Sequence, residues 1–342
     1  MPHPWFDAHL DLAYLAANGR DMTRGLNDCG GPHPPAAVTL PAMESGRVRA
    51  CLATIFTEAD GADASGYPAG DPTAANAAGL RQLRVYQSWQ ASGRIIPFEH
   101  RSVQHGIAAG ILMECADPIR QPDELEWWAS QGVVAIGLTW ARGSRYASGN
   151  AAPSCDSPVG LTPLGVELVE RMDALGVVHD VSHLSDRALD DVLSRTSRPV
   201  IASHSNCRAL LDGVSQRHLT DEAIREIGRR GGVIGLNLVK NFIRTGLRRN
   251  DPGDRPSIED CLRHVERVCE LVGHDRAVGL GSDLDGGMSA HDLPAGINSP
   301  EGFERLAEGL SARGWSEERV HAFAWGNWDR FFRRRGTVEA PG

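Results

Sequence analysis

Eight short apolar runs, each followed by a stretch that reads as loop or helix, constrain this chain more than any other feature. They are WFDAHLDL (5–12), ACLATIF (50–56), GILME (110–114), VVAIGLTW (133–140), VVHDVSHL (177–184), PVIASHS (199–205), GVIGLNLV (232–239) and AVGLGSDLD (277–285). Most are continuous rather than alternating, the pattern of parallel strands covered by helices. Helix-compatible segments lie at 74–92, 121–131, 164–175, 185–194, 219–230 and 257–272. Ser185 and Thr220 stand where N-caps belong, since a hydroxyl there accepts from backbone N–H groups of the first turn. Eight such units predict a (β/α)8 TIM barrel. A doubly wound sheet is the alternative, but no GxGxxG turn follows a strand. The stretches 58–73 and 143–158 read as long loops beside a site, and the basic 240–256 as a loop or short helix. No boundary interrupts the pattern, so residues 1–342 read as one domain.

Charge and cysteine usage narrow the partners. Lys plus Arg is 35 against 44 for Asp plus Glu, a formal net charge of −9. That argues against nucleic acid or an anionic membrane as the main partner. No stretch approaches the roughly 20 apolar residues of a membrane span. The opening MPHPWFDAHLDLAYLAANGRD lacks the basic start and uninterrupted apolar run of a secretion signal. The closing WDRFFRRRGTVEAPG lacks the hydrophobic tail of a lipid-anchor signal. Seven cysteines without CxxC spacing read as reduced thiols in a cytoplasmic protein.

Polar residues gather where the predicted strands end: His9 and Asp11, Glu114, His183, His204, then Asp283 and Asp285. In a barrel these ends meet at one face, where active sites are built. His9 and Asp11 are two apart, which on a strand puts both on one side. Three imidazoles with carboxylates suit zinc, with manganese, iron or cobalt as alternatives. Five ligands exceed what one catalytic zinc takes. Two ions ~3.5–4 Å apart, sharing a carboxylate, would use all five and hold a bridging hydroxide. A lone strand histidine is more often structural; convergence of five groups favours the metal. His179, four before His183, reads as a deeper structural residue on the same face. Asp180 reads as facing the other way and making a structural hydrogen bond. Arg217 reads either as a carboxylate-binding group or as a surface charge. Trp127 and Trp128 read as helix-packing residues, and Cys207 as incidental.

Taken in order, these segments resemble the membrane dipeptidase (renal dipeptidase, peptidase M19) family of binuclear zinc hydrolases. DAHLDL resembles its opening HxD motif, GILMEC its bridging-glutamate strand, HDVSHLS and IASHSNCRAL its two histidine strands. SQRHLTDEAI, GLGSDLDGG and AWGNWDRFF resemble its arginine segment, its GxDxDG strand and its C-terminal GxNxxR helix. The resemblance implies that His9 and Asp11 bind one zinc and His183 and His204 the other, with Glu114 bridging. It implies Asp283 as the acid/base and Arg217 as holder of the substrate's C-terminal carboxylate. It further implies a dipeptide or small-molecule substrate, tolerance of a C-terminal D-residue, and a homodimer.

Two positions depart from the family pattern. Trp140 stands where the dipeptidases carry a histidine, and Val239 where they carry a tyrosine. Losing such a donor in a dry site costs ~3–4 kcal/mol of transition-state stabilisation. Arg142 and Arg145, in the loop after Trp140, are candidates for supplying the missing charge at the substrate. These departures give weight to a related metal-dependent hydrolase or peptide-tailoring enzyme acting on another small amide or lactone. A metal-binding protein without turnover is disfavoured by Asp283 and Arg217. Lactonases, phosphotriesterases and deaminases typically open with HxH and often use a modified lysine, unlike the HxD and Glu114 here.

Overall fold

The structure, a computed structural model, describes residues 2–151 and 160–335. The loop expected at 143–158 therefore lies partly outside the described residues, as does the chain beyond Arg335. Eight parallel strands close a barrel: β1 (Trp5–Leu10), β2 (Val48–Ile55), β3 (Ala108–Met113), β4 (Val133–Gly137), β5 (Val178–Asp180), β6 (Ile201–Ala202), β7 (Val233–Leu236) and β8 (Val278–Leu280). Each pairs with its neighbours in sequence, and β8 returns to β1 at Leu280 and Asp7. All eight apolar runs thus become barrel strands.

Most strands stop sooner than their apolar runs suggest. β5 ends at Asp180 and β8 at Leu280 because the polar residues beyond them turn. His183, Asp283 and Asp285 have φ of 65°, 61° and 59°. That left-handed backbone, uncommon for non-glycine residues, cannot continue a ladder. His179 and His183 consequently do not share a face, contrary to the sequence expectation. His179 points outward, its Nε2 2.7 Å from Asp173 Oδ1 on helix Pro163–Leu175. Asp180 faces the barrel interior and accepts from Ser203 N and Ser203 Oγ at 2.9 and 2.6 Å.

The helices begin where their caps indicate. Ser185 Oγ accepts from Ala188 N and Thr220 Oγ1 from Ala223 N, both at 3.1 Å. The segment expected at 121–131 is a 3-10 turn, Pro122–Glu124, followed by helix Leu125–Ser130. Trp128 is buried there, but Trp127 is 47 % exposed, so only one of the pair packs inward. The 240–256 segment opens with the short helix Lys240–Ile243, whose buried Lys240 Nζ lies 3.2 Å from Asp292 Oδ1.

Two apolar layers hold the barrel. One lies between the strands and the surrounding helices. The other fills the lower interior, where Phe6, Leu52, Leu112 and Val233 meet Trp325, Trp328 and Phe332 from the C-terminal helical segment. Phe6 stacks on Phe332 with centroids 5.9 Å apart, and Trp328 Nε1 donates to Leu280 O at 3.0 Å. This plug closes the foot and leaves the polar strand ends at the opposite mouth. Among the described residues, no helix is long and apolar enough to cross a membrane.

Candidate active site

Each candidate residue sits at or just past a strand end. His9 is on β1, and Asp11 directly follows it as the N-cap residue of helix Leu12–Ala17. Glu114 is the first residue after β3, and His204 the second after β6. His183 and Asp283 are the third residues after β5 and β8. The structure brings all six together. His9 Nε2 lies 3.4 Å from Glu114 Oε2 and 3.9 Å from Asp11 Oδ1. Glu114 Oε1 lies 3.2 Å from His183 Nε2 and 3.6 Å from His204 Nε2. Among the described residues, His9, Asp11 and Asp283 form one group of possible ligands, Glu114, His183 and His204 another, and His9, Asp180 and His204 a third. Gly286 lets these walls approach: a Cβ there would lie 1.9 Å from Asp283 Oδ1 and 2.8 Å from Asp11 Oδ2.

The outer nitrogens of the imidazoles are occupied. His183 Nδ1 is 3.0 Å from Asn150 Oδ1, which fixes the proton on Nδ1. Ser203 Oγ lies 2.8 Å from His204 Nδ1 and 3.2 Å from His9 Nδ1. Burial, with the charges of Arg217 and His9 behind it, drives the pKa of His183 and of His204 well below the usual histidine value. Burial thus favours the neutral form of both rings, and their Nε2 atoms face each other at 3.0 Å. His9 Nε2 is buried without a hydrogen-bond partner. Basic nitrogens aimed at one another and at a carboxylate are unfavourable alone and fit a cation between them.

The carboxylates tell the same story. Burial foremost, then Asp180's charge, pushes Glu114 up to about 8 despite Arg217. Burial and then Glu114 push Asp11 up to about 6, although Thr54 donates its hydroxyl to Asp11 Oδ1. Asp283 is pushed up to about 7, by burial first and then by Asp11 and Glu114, against the pull of His9 and Arg217. Asn237 Nδ2 donates to Asp283 Oδ2 at 2.9 Å. Bound cations would reverse this shift for the ligating carboxylates.

Above the cluster lies a cavity of about 390 Å3. Trp140 and Val239 line it, with Phe56, Tyr14, Phe242 and Met288. Trp140 meets Phe56 edge-on at 5.3 Å and tilts over His183 at 6.0 Å. Arg217 also reaches the cavity and is buried, which removes the surface-charge reading. Its Nη1 donates to Ser205 Oγ at 3.1 Å, while Nε and Nη2 have no partner. Arg142 and Arg145 do not line the cavity. Arg142 is exposed and its charge bears on Glu58. Arg145 is turned outward by its loop, its Nη1 donating to Arg120 O at 3.0 Å.

Sequence reasoning missed the supporting residues Thr54, Asn150, Ser203 and Asn237, and the cavity acids Glu58 and Asp63. Ser203 and Asn237 had a signal, since each is a polar residue immediately beyond a strand. Asn150 and Asp63 sit in long loops and had none.

A profile of the membrane dipeptidase family (peptidase family M19) matches residues 2–341. This chain belongs to that family. It is accordingly a metal-dependent hydrolase of the dipeptidase class. An uncharacterized Klebsiella pneumoniae protein encoded in the pqqA 5′ region is 34% identical over 210 residues, covering 60% of this chain and 74% of that protein. Dipeptidase tcpJ of Claviceps purpurea is 29% identical over 211 residues, covering 61% of this chain but 46% of its own length. Two solved structures superpose with a TM-score of 0.82 at 26% identity and cover 98% of this chain. One is dipeptidase AC, a metallo peptidase, covered to 99%, and the other a Rhodobacter sphaeroides metallo peptidase, covered to 100%. The latter carries a phosphinate mimic of the dipeptide L-Ala-D-Ala.

Proposed function

We propose that this chain is a binuclear zinc hydrolase of dipeptides. His9 and Asp11 hold one ion, His183 and His204 the second, and Glu114 bridges both. The observation that carries this reading is the 3.0 Å approach of two imidazole nitrogens beside Glu114, with His9 Nε2 lacking a hydrogen-bond partner next to them. The mixed nitrogen and oxygen set suits zinc. When bound, such ions supply a nucleophile at neutral pH and polarise a carbonyl.

The chain's own groups do the rest. Asp283, with Oδ2 held by Asn237 and a carboxyl pushed up to about 7, is poised both to take a proton from the attacking water and to pass it to the leaving amine. The two unpartnered donors of Arg217 form a fork for the substrate's terminal carboxylate. Burial of that guanidinium makes the pairing strong and selective. The dipeptide mimic bound by the Rhodobacter relative supports a D-residue at the C-terminal position. Trp140 closes the cavity over His183 and offers one indole N–H. Arg142 would act through Glu58 in the cavity wall, on which its charge bears, while Arg145 braces the loop after Trp140 through Arg120 O.

A second reading is favoured by the apolar lining that Trp140 and Val239 give the cavity. Under it the same centre cleaves another small amide or a lactone, or tailors a peptide. Assaying L-L, L-D and D-L dipeptides with zinc present separates the two. Release of free amino acids supports the dipeptidase; no turnover of any of them sinks that substrate and leaves the hydrolase. We further infer one domain over residues 1–342, a homodimer, and a cytoplasmic setting, which the six unpaired cysteines among the described residues support.

A further inference from the structure

At the opposite end of the barrel lies a second cavity, of about 380 Å3. Its walls come from the turns that enter β5, β6, β7 and β8 and from the last helix, Asn327–Arg335. Six arginines and two histidines line it, and no carboxylate does. That composition is unexpected in a chain of net charge −9.

The nearby acids are already engaged. Glu226 serves both Arg229 and Arg230, at 2.7 and 2.6 Å. Asp173 is bonded to His179 at 2.7 Å, and Arg198 reaches it only at 3.9 Å. Asp275 is taken by Arg319 at 2.7 Å. Arg276 and Arg330 make no ion pair with a carboxylate among the described residues. Arg330 is instead steadied by donating to Oδ1 of the buried Asn327. Its pKa falls below the usual arginine value through burial and through the like charges of Arg334 and Arg276. Favourable interaction with a helix C-terminus accounts for an arginine such as Arg334, but not for Arg276, which arrives from the turn before β8.

The guanidinium groups of Arg276 and Arg330 bring like charges together with only the charge of Asp275, itself held by Arg319, bearing on Arg330, and an anion bearing more than one charge relieves that repulsion. Their planar forks match phosphate oxygens. Val177, Pro199 and Phe331 add an apolar wall for a carbon skeleton. The volume falls within the roughly 300–1,000 Å3 typical of small-molecule sites. We propose that this cavity at the foot of the barrel is a binding site for a small organic phosphate, separate from the catalytic mouth.

Calorimetric titration of the zinc-loaded protein with AMP, glucose 6-phosphate and inorganic phosphate tests this, with adenosine as the phosphate-free control. At least one phosphate should bind once per chain, and adenosine about tenfold or more weaker. Arg276→Glu should weaken that binding about tenfold or more, the loss of one charge-assisted pair. Arg334→Gln, on an exposed side chain, should weaken it by a smaller factor and covers the case in which Arg276→Glu does not fold, judged by far-UV circular dichroism. Failure of all three phosphates to bind in the millimolar range would overturn the proposal. So would binding indifferent to the foot variants, or binding lost in Arg217→Ala instead, which would put the anion at the mouth.

Discussion

At the foot of the barrel Phe6, Phe98, Trp328 and Phe332 meet ring to ring, and the one buried indole donor among them finds the carbonyl of Leu280. At the mouth, ten or so ångströms along the same strands at ~3.3 Å per residue, His9 Nε2 and two donors of Arg217 have no partner. His183 and Asp283 there adopt left-handed backbone, and Glu114, Asp11 and Asp283 carry raised pKa values. The aromatic plug inside the barrel is packed ring to ring and supplies stability. The mouth holds basic nitrogens and buried carboxylates against one another, an arrangement that bound cations would make favourable. One barrel thus keeps its strained chemistry at the mouth while an apolar plug fills its lower interior.

The contrast can be broken from either side. The largest effect belongs to Glu114→Gln, which leaves the bridge without its full charge. We expect kcat/KM to fall about 10^4-fold, the several kcal/mol that bound metal supplies. Elemental analysis should show metal lost, while the melting temperature of the chelated protein is unaffected or raised. Trp328→Ala should do the reverse. Removing a buried aromatic costs about 3–5 kcal/mol in denaturant unfolding, yet metal content per folded chain should stay constant. Ser203→Ala touches no substrate but frees the outer nitrogens of His9 and His204. Metal affinity should drop about 10–100-fold by competition with a chelator.

The smallest effect sharpens the difference between two histidines four residues apart. His179→Ala removes a satisfied hydrogen bond to Asp173 and should cost ~1–3 kcal/mol of stability without touching metal binding. Its pH dependence has a definite sign. Burial raises the Asp173 carboxyl, but the hydrogen bonds of His179 and Thr196 and the charge of Arg198 outweigh it and hold the pKa below its usual value. That stabilisation is complete above the unfolded carboxylate value of about 4. It disappears as pH falls through the lower folded value. Urea midpoints from pH 3 to pH 6 should therefore converge for wild type and Asp173→Asn at the acid end only.

The same two histidines show how far the sequence carried. The eight apolar runs, their helical partners and the caps at Ser185 and Thr220 were legible because periodicity and capping are local. The convergence of His9, Asp11, Glu114, His183 and His204 was legible because a parallel barrel sends every strand end to one face. The direction of His179 was not, because a strand's alternation stops where the backbone turns, and the left-handed φ at His183 leaves no mark in composition. The direction of Arg145 was not legible for a related reason: nearness to Trp140 in sequence says nothing of which way a loop side chain leaves. Asn150 and Asp63 were hidden in loops whose path depends on the rest of the fold.

The central claim is that five side chains hold two metal ions. Elemental analysis of the purified, zinc-equilibrated and desalted protein tests it most directly, beside Glu114→Gln prepared identically. Two zinc ions per wild-type chain and clearly fewer in the variant are the predicted result. A wild-type chain that retains no stoichiometric metal while remaining folded would contradict it.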